Sequence, residues 1–148
     1  METHAQRKDW MRVLAHADWA ELEPLMKPYP LPDNAAWLRP PETGMVMMRA
    51  RAGGTGMAFN TGEATVTRCA VQLNGGIIGH GYILGRNAAH AQAAALLDAL
   101  LQLPDHADDI HKRVIEVLRS KIETRRDIAS RKAAATRVDF FTLVRGED

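Results

Sequence analysis

The sequence contains a single cysteine, Cys69. No disulfide can close within the chain, and neither a structural zinc site nor an iron–sulfur cluster, each built on several thiolates, can form from it. Such sparing use of cysteine fits a reducing cytoplasm. Net charge is also nearly missing, since 19 Lys and Arg stand against 18 Asp and Glu, giving +1. That balance excludes a global attraction to nucleic acid or to an anionic membrane and leaves only local electrostatics. No apolar run approaches the ~18 residues of a membrane span. The N-terminus, "METHAQRKDWMRVLAHADW", lacks the apolar centre of a signal peptide. Repeats and low-complexity stretches are absent as well. The expectation is a soluble cytoplasmic protein whose 148 residues (1–148) form one domain with a core of its own.

Local patterning predicts an α+β fold: a small antiparallel sheet of three or four strands between N-terminal helices and two C-terminal helices, the last one long. Residues 1–27 read as a helical part. Thr3 with Gln6, and Asp18 with Glu21, fit capping boxes, and Trp10, Val13, Leu14 and Ala17 share a helix face. "KPYPLPDN" ends this part, and residues 28–42 read as a connector with a helical turn at Trp37 and Leu38. Residues 43–84 carry strand patterns in "TGMVMMRARA", "EATVTRCAVQL" and "IIGHGYIL". Asn74-Gly75 between the last two predicts a two-residue hairpin turn, which sets Cys69 opposite His80 and puts Thr67 and Tyr82 on the same face. Residues 87–137 read as helices, the first capped by Asn87 and stopped at Pro104, the second running from Asp105 to about Arg137. Residues 138–144 read as extended.

Three features carry candidate chemistry. The first is "RARAGGTG". Arg49, Arg51, Gly53, Gly54, Thr55 and Gly56, with Arg68, are candidates for an anion or substrate loop or an interface loop. No lysine follows the glycines as a phosphate-binding loop needs, and Phe59 occupies the third glycine position of a dinucleotide fingerprint. The plain alternative is an irregular connection over residues 53–62. The second is Cys69 with His80, a thiol beside an imidazole, which would make a self-sufficient small enzyme if the thiol were activated. No third orienting group accompanies them, and a packed cysteine is the simpler reading. Histidines 4, 16, 80, 90, 106 and 111 include no i, i+4 pair, so no metal site is expected. The third feature is the helix 112–137, with nine basic residues against three acidic, +6 in all. It offers either a solvated basic face or a nucleic-acid-binding module. Beyond it, Phe140, Phe141, Leu143 and Arg145 are candidates for an interface, because each face of a strand "VDFFTLV" would carry an aromatic that needs cover.

The strings "RPPETGMVMMRARAGGTGMAFNTGEATVTRCAVQL", "GHGYILGRNAAHAQAAALLDAL" and "TRVDFFTLVRGED" resemble the PhnG family of phosphonate metabolism proteins, the G subunits of the carbon–phosphorus lyase core complex. The resemblance runs from about Trp37 to the C-terminus. It implies H, I, J and L subunits as partners, with the I subunit in direct contact. Together with H, I and L, such a chain supports transfer of the ribose triphosphate moiety of ATP to an alkylphosphonate with release of adenine. It implies no catalytic residue and no cofactor in this chain. The I subunit carries the nucleosidase activity, and the J subunit carries an iron–sulfur cluster and uses S-adenosylmethionine. Two copies of each core subunit assemble, so a homodimer is a further expectation; membrane and nucleic acid are not expected partners.

Overall fold

The computed structural model describes residues 2–136. Two N-terminal helices, α1 (Glu2–His16) and α2 (Trp19–Leu22), lead through a 3₁₀ turn (Glu23–Met26) to the sheet. The strands β1 (Ala36–Arg51), β2 (Ala58–Gln72) and β3 (Ile78–Leu84) pair antiparallel in the order β1-β2-β3. Helix α3 (Ala88–Leu100) then lies on the sheet. It is followed by α4 (Pro104–Ile110), a π-helical stretch (His111–Ile115) and α5 (Glu116–Ala135). The α+β expectation holds, and residues 104–135 run as one helical rod of roughly 48 Å at ~1.5 Å per residue.

The contact between α3 and β3 organises the core. Gly79 and Gly81 point at the helix, and Ala91, Ala95 and Ala99 recur on α3 at helical spacing to meet them. A Cβ built on Gly79 would lie 2.0 Å from the Ala95 carbonyl oxygen, and one on Gly81 would lie 2.0 Å from that of Ala91. Only glycine admits this approach. Around it Val71, Ile83, Leu97, Ile110, Ile115 and Leu118 are fully buried, and Val13, Leu14 and Leu22 bring α1 and α2 into the same cluster.

Close packing of α3 also explains why the β2–β3 register departs from expectation. The turn contains three residues, Asn74, Gly75 and Gly76, with positive φ at both glycines and the Leu73 N–H donating to Ile77 O at 2.9 Å. Cys69 therefore pairs with Gly81, and His80 with Ala70. The two-residue turn would have aimed His80 and Tyr82 at α3, where only a glycine-wide gap exists. Tertiary packing overrides the local turn signal here.

Three further expectations change. Residues from Ala36 onward belong to β1, so Trp37 and Leu38 form no helical turn. Trp37 pairs with Val71 and packs on the core, and an edge strand tolerates Pro40 and Pro41 because register shifts flank Arg39. Helix α1 is already running at Thr3, so no capping box starts there, whereas Asp18 does cap α2 by accepting from the Ala20 N–H at 3.0 Å. The irregular connection is shorter than 53–62. It covers residues 52–57, and 58–62 already belong to β2, with a bulge where Met48 pairs Gly62 and Arg49 pairs Asn60.

Candidate functional site

Cys69 and His80 occupy opposite faces of the sheet. The Cys69 side chain is buried, and burial raises the thiol from about 9 to about 11, against a weaker lowering by its hydrogen bond to the Gly81 backbone. A thiol so placed stays protonated at neutral pH and has no base beside it, so the pair cannot act as nucleophile and base. Thr67, expected beside it, does share the inner face. Its hydroxyl donates to Gly85 O at 2.7 Å and accepts from the Asn87 N–H at 3.3 Å. Asn87 in turn caps α3 by accepting from the His90 N–H at 2.9 Å. This chain of bonds fixes the start of α3 over β2, which is structural work.

The arginine and glycine candidates separate. Beyond the end of β3, β1 and β2 continue as a two-stranded ribbon. Gly53, Gly54, Thr55 and Gly56 lie in its tip, with positive φ at Gly53 and Gly54. Arg51 donates to Gly56 O at 3.0 Å and so fastens the tip to itself. Arg49 pairs across to Asn60. Arg68 pairs with Glu42, seven residues before Arg49 along β1, or roughly 23 Å at ~3.3 Å per residue. These arginines do not converge on one anion. The tip remains an exposed interface candidate, with Met57 90% exposed.

Arg68 instead belongs to the outward side of the sheet. Its Nε donates to Glu42 Oε1 at 2.7 Å, and Arg39 Nη1 donates to the same oxygen at 2.7 Å. The Arg68 hydrogen bond, with the charge of both arginines, holds the Glu42 carboxyl below its ordinary range. Tyr82 stands directly across from Arg68, and Leu84 across from Val66. Arg39, Glu42 and Leu84 were not singled out from sequence, and Tyr82, expected on the face of Cys69 and Thr67, lies on the opposite one. A signal existed in "IIGHGYIL", where glycines at 79 and 81 mark the side that a helix must approach and leave His80, Tyr82 and Leu84 outside.

Two polar sites, one buried and one partly so, were also missed. Asp98, fully buried in α3, accepts from Arg7 Nε at 3.1 Å, Arg7 Nη2 at 2.8 Å, Trp10 Nε1 at 2.9 Å and the His80 N–H at 2.9 Å. Arg7 Nη2 and Gln102 Nε2 both donate to Ile78 O as well, at 3.1 and 2.9 Å. This network joins α1 and α3 to the outer edge of β3 and covers part of that edge. The lone aspartate in "AALLDALL" was the clue. Tyr29 donates to Asp109 Oδ2 at 2.6 Å, and burial with that bond raises its hydroxyl to about 12. A cleft of about 590 Å³ opens beside Arg7 and Trp10, between the start of α1 and the α3–α4 corner.

The basic helix is largely engaged with the rest of the chain over its first half. Arg119 pairs with Asp9 and Arg125 with Glu21 at 3.0 Å, while Arg113 pairs within the helical rod with Asp109 at 2.7 Å. Phe140, Phe141, Leu143 and Arg145 lie outside the described residues. Among the described residues no three His, Cys, Asp or Glu side chains converge as a metal site requires, and no helix is long and apolar enough to cross a membrane.

Fold and surface together define an α+β domain whose exposed chemistry lies on an open sheet face and a projecting ribbon. Its sequence matches the model of a family described as phosphonate metabolism protein PhnG over residues 5–146, and the chain belongs to that family. A relative from Rhizobium meliloti (strain 1021), alpha-D-ribose 1-methylphosphonate 5-triphosphate synthase subunit PhnG, is 45% identical over 148 residues, covering 97% of this chain and 92% of the relative.

Proposed function

We propose that this chain is a non-catalytic, cytoplasmic subunit of a ribose 1-methylphosphonate 5-triphosphate synthase. With H, I and L subunits it supports transfer of the ribose triphosphate moiety of ATP to an alkylphosphonate, with loss of adenine. The observation that carries this reading is 45% identity to a named synthase subunit along nearly the whole chain. A supporting role agrees with the inert, buried Cys69 and with the dispersal of the candidate arginines. ATP is then a substrate of the assembly, and the chain itself needs no cofactor. The J subunit, with its iron–sulfur cluster and S-adenosylmethionine, acts on the product. The I subunit is the direct neighbour in this proposal, and the C-terminal segment with Phe140 and Phe141 provides one contact to it.

Omission tests the proposal. Purified H, I and L subunits are incubated with ATP and methylphosphonate, with and without this chain, and adenine release is followed by chromatography. Release that requires the chain supports the reading. Equal release in its absence contradicts it.

A further inference from the structure

An antiparallel sheet with one packed face ordinarily turns polar side chains to water on the other. This sheet sets exposed apolar side chains among the charged ones there. Across its outward side run the rows Arg39–Ala70–His80, Glu42–Arg68–Tyr82 and Gly44–Val66–Leu84. Leu84 is 62% exposed, Leu38 52% and Tyr82 47%. Met48 and Phe59 extend the same apolar side along the ribbon. Small residues at 44 and 70 leave two hollows flanking the Arg68–Tyr82 pair, about 230 Å³ beside Gly44 and about 400 Å³ beside Ala70. Tyrosine and arginine set among aliphatic side chains and bordered by hollows form the composition and shape of an interface centre.

Charge decides what covers it. One carboxylate, Glu42, serves two guanidiniums, and a single oxygen takes both bonds, so the cluster retains a positive charge with both arginines about half exposed. A twofold contact with a second copy centred here would set arginines against arginines. An acidic group on a different protein satisfies them instead. We propose that the outward face of the sheet docks another protein subunit, one that presents a carboxylate to Arg68 and Arg39 between apolar side chains entering the hollows beside Tyr82 and Leu84. This inference rests on the subunit reading and adds to it the surface and the chemistry of the partner.

The full-length chain is co-expressed with H, I and L subunits, carrying a photo-crosslinking benzoylphenylalanine at Tyr82 or, for comparison, at Lys132 on α5. The Tyr82 probe should link to another subunit. Arg68→Glu and Leu84→Glu should each reduce the complex recovered by about tenfold, while the thermal midpoint of each isolated variant stays near that of the parent. A Tyr82 cross-link only to a second copy, or only within the same chain, overturns the inference. So does recovery of complex at the parental level by both variants. If the unaltered chain recovers no partner at all, the subunit reading itself fails and the surface falls with it.

Discussion

Asp98 shows how much one side chain can hold in this molecule. It is a buried carboxylate whose bonds come from a guanidinium and an indole on α1 and from a backbone amide on β3. Removing it takes that partner from the Trp10 indole and the His80 amide and leaves Arg7 only Ile78 O, so Asp98→Ala should lower unfolding free energy by about 3–5 kcal/mol. Urea denaturation measures this, and a loss under about 1 kcal/mol would place the network among surface pairs. Gly79→Ala should be at least as damaging, because the added carbon meets the α3 backbone, whereas Gly44→Ala meets nothing within 4 Å. Two groups set the alkaline limit. The folded state holds the Cys69 thiol at about 11 against 9 and the Tyr29 hydroxyl at about 12 against 10. Raised folded values mean that the stabilisation is complete below pH 9 and declines as pH rises, first through the thiol and then through the phenol. Thermal midpoints measured from pH 8 to 11 should fall above pH 9, and Cys69→Ala should remove the earlier part of that fall. Equal pH dependence in both proteins would contradict the assignment.

Among the elements, the β1–β2 ribbon and the end of α5 are the parts least supported by the core. Residues 45–51 and 58–65 have no third strand, and residues 123–136 are exposed. Two-stranded structure alone is only marginally stable in water. Hydrogen exchange should therefore be faster in the ribbon than in residues 66–72, which sit between two strands; equal protection would show that the ribbon is covered in the free protein. The strands, the α3 cap at Asn87 and the long final helix were legible because short-range chemistry specifies them. The β2–β3 register was not, since it depends on Gly79 and Gly81 meeting alanines of α3 that lie well along the chain. The start of β1 was hidden by Pro40 and Pro41, which argue against a strand unless it is known to lie at an edge. Arg68 was recognised as a site residue but assigned to the glycine loop, because only the folded sheet places it beside Glu42 and Tyr82.

For the whole molecule, we propose a domain that contributes a surface to an assembly and leaves the chemistry to its partners. Burial of Cys69, dispersal of Arg49, Arg51 and Arg68, and the open sheet face all belong to that account, as does membership of the PhnG family. It differs measurably from an account in which the chain is a separate catalyst acting before or after its partners. A catalyst turns over and accelerates the reaction at a small fraction of the partner concentration, whereas a structural subunit is consumed by assembly. The most direct measurement is a titration of the chain into a fixed concentration of H, I and L subunits, with adenine release from ATP and methylphosphonate as the readout. The account predicts a linear rise that breaks at one chain per I subunit. Full activity at a small fraction of that ratio would contradict it.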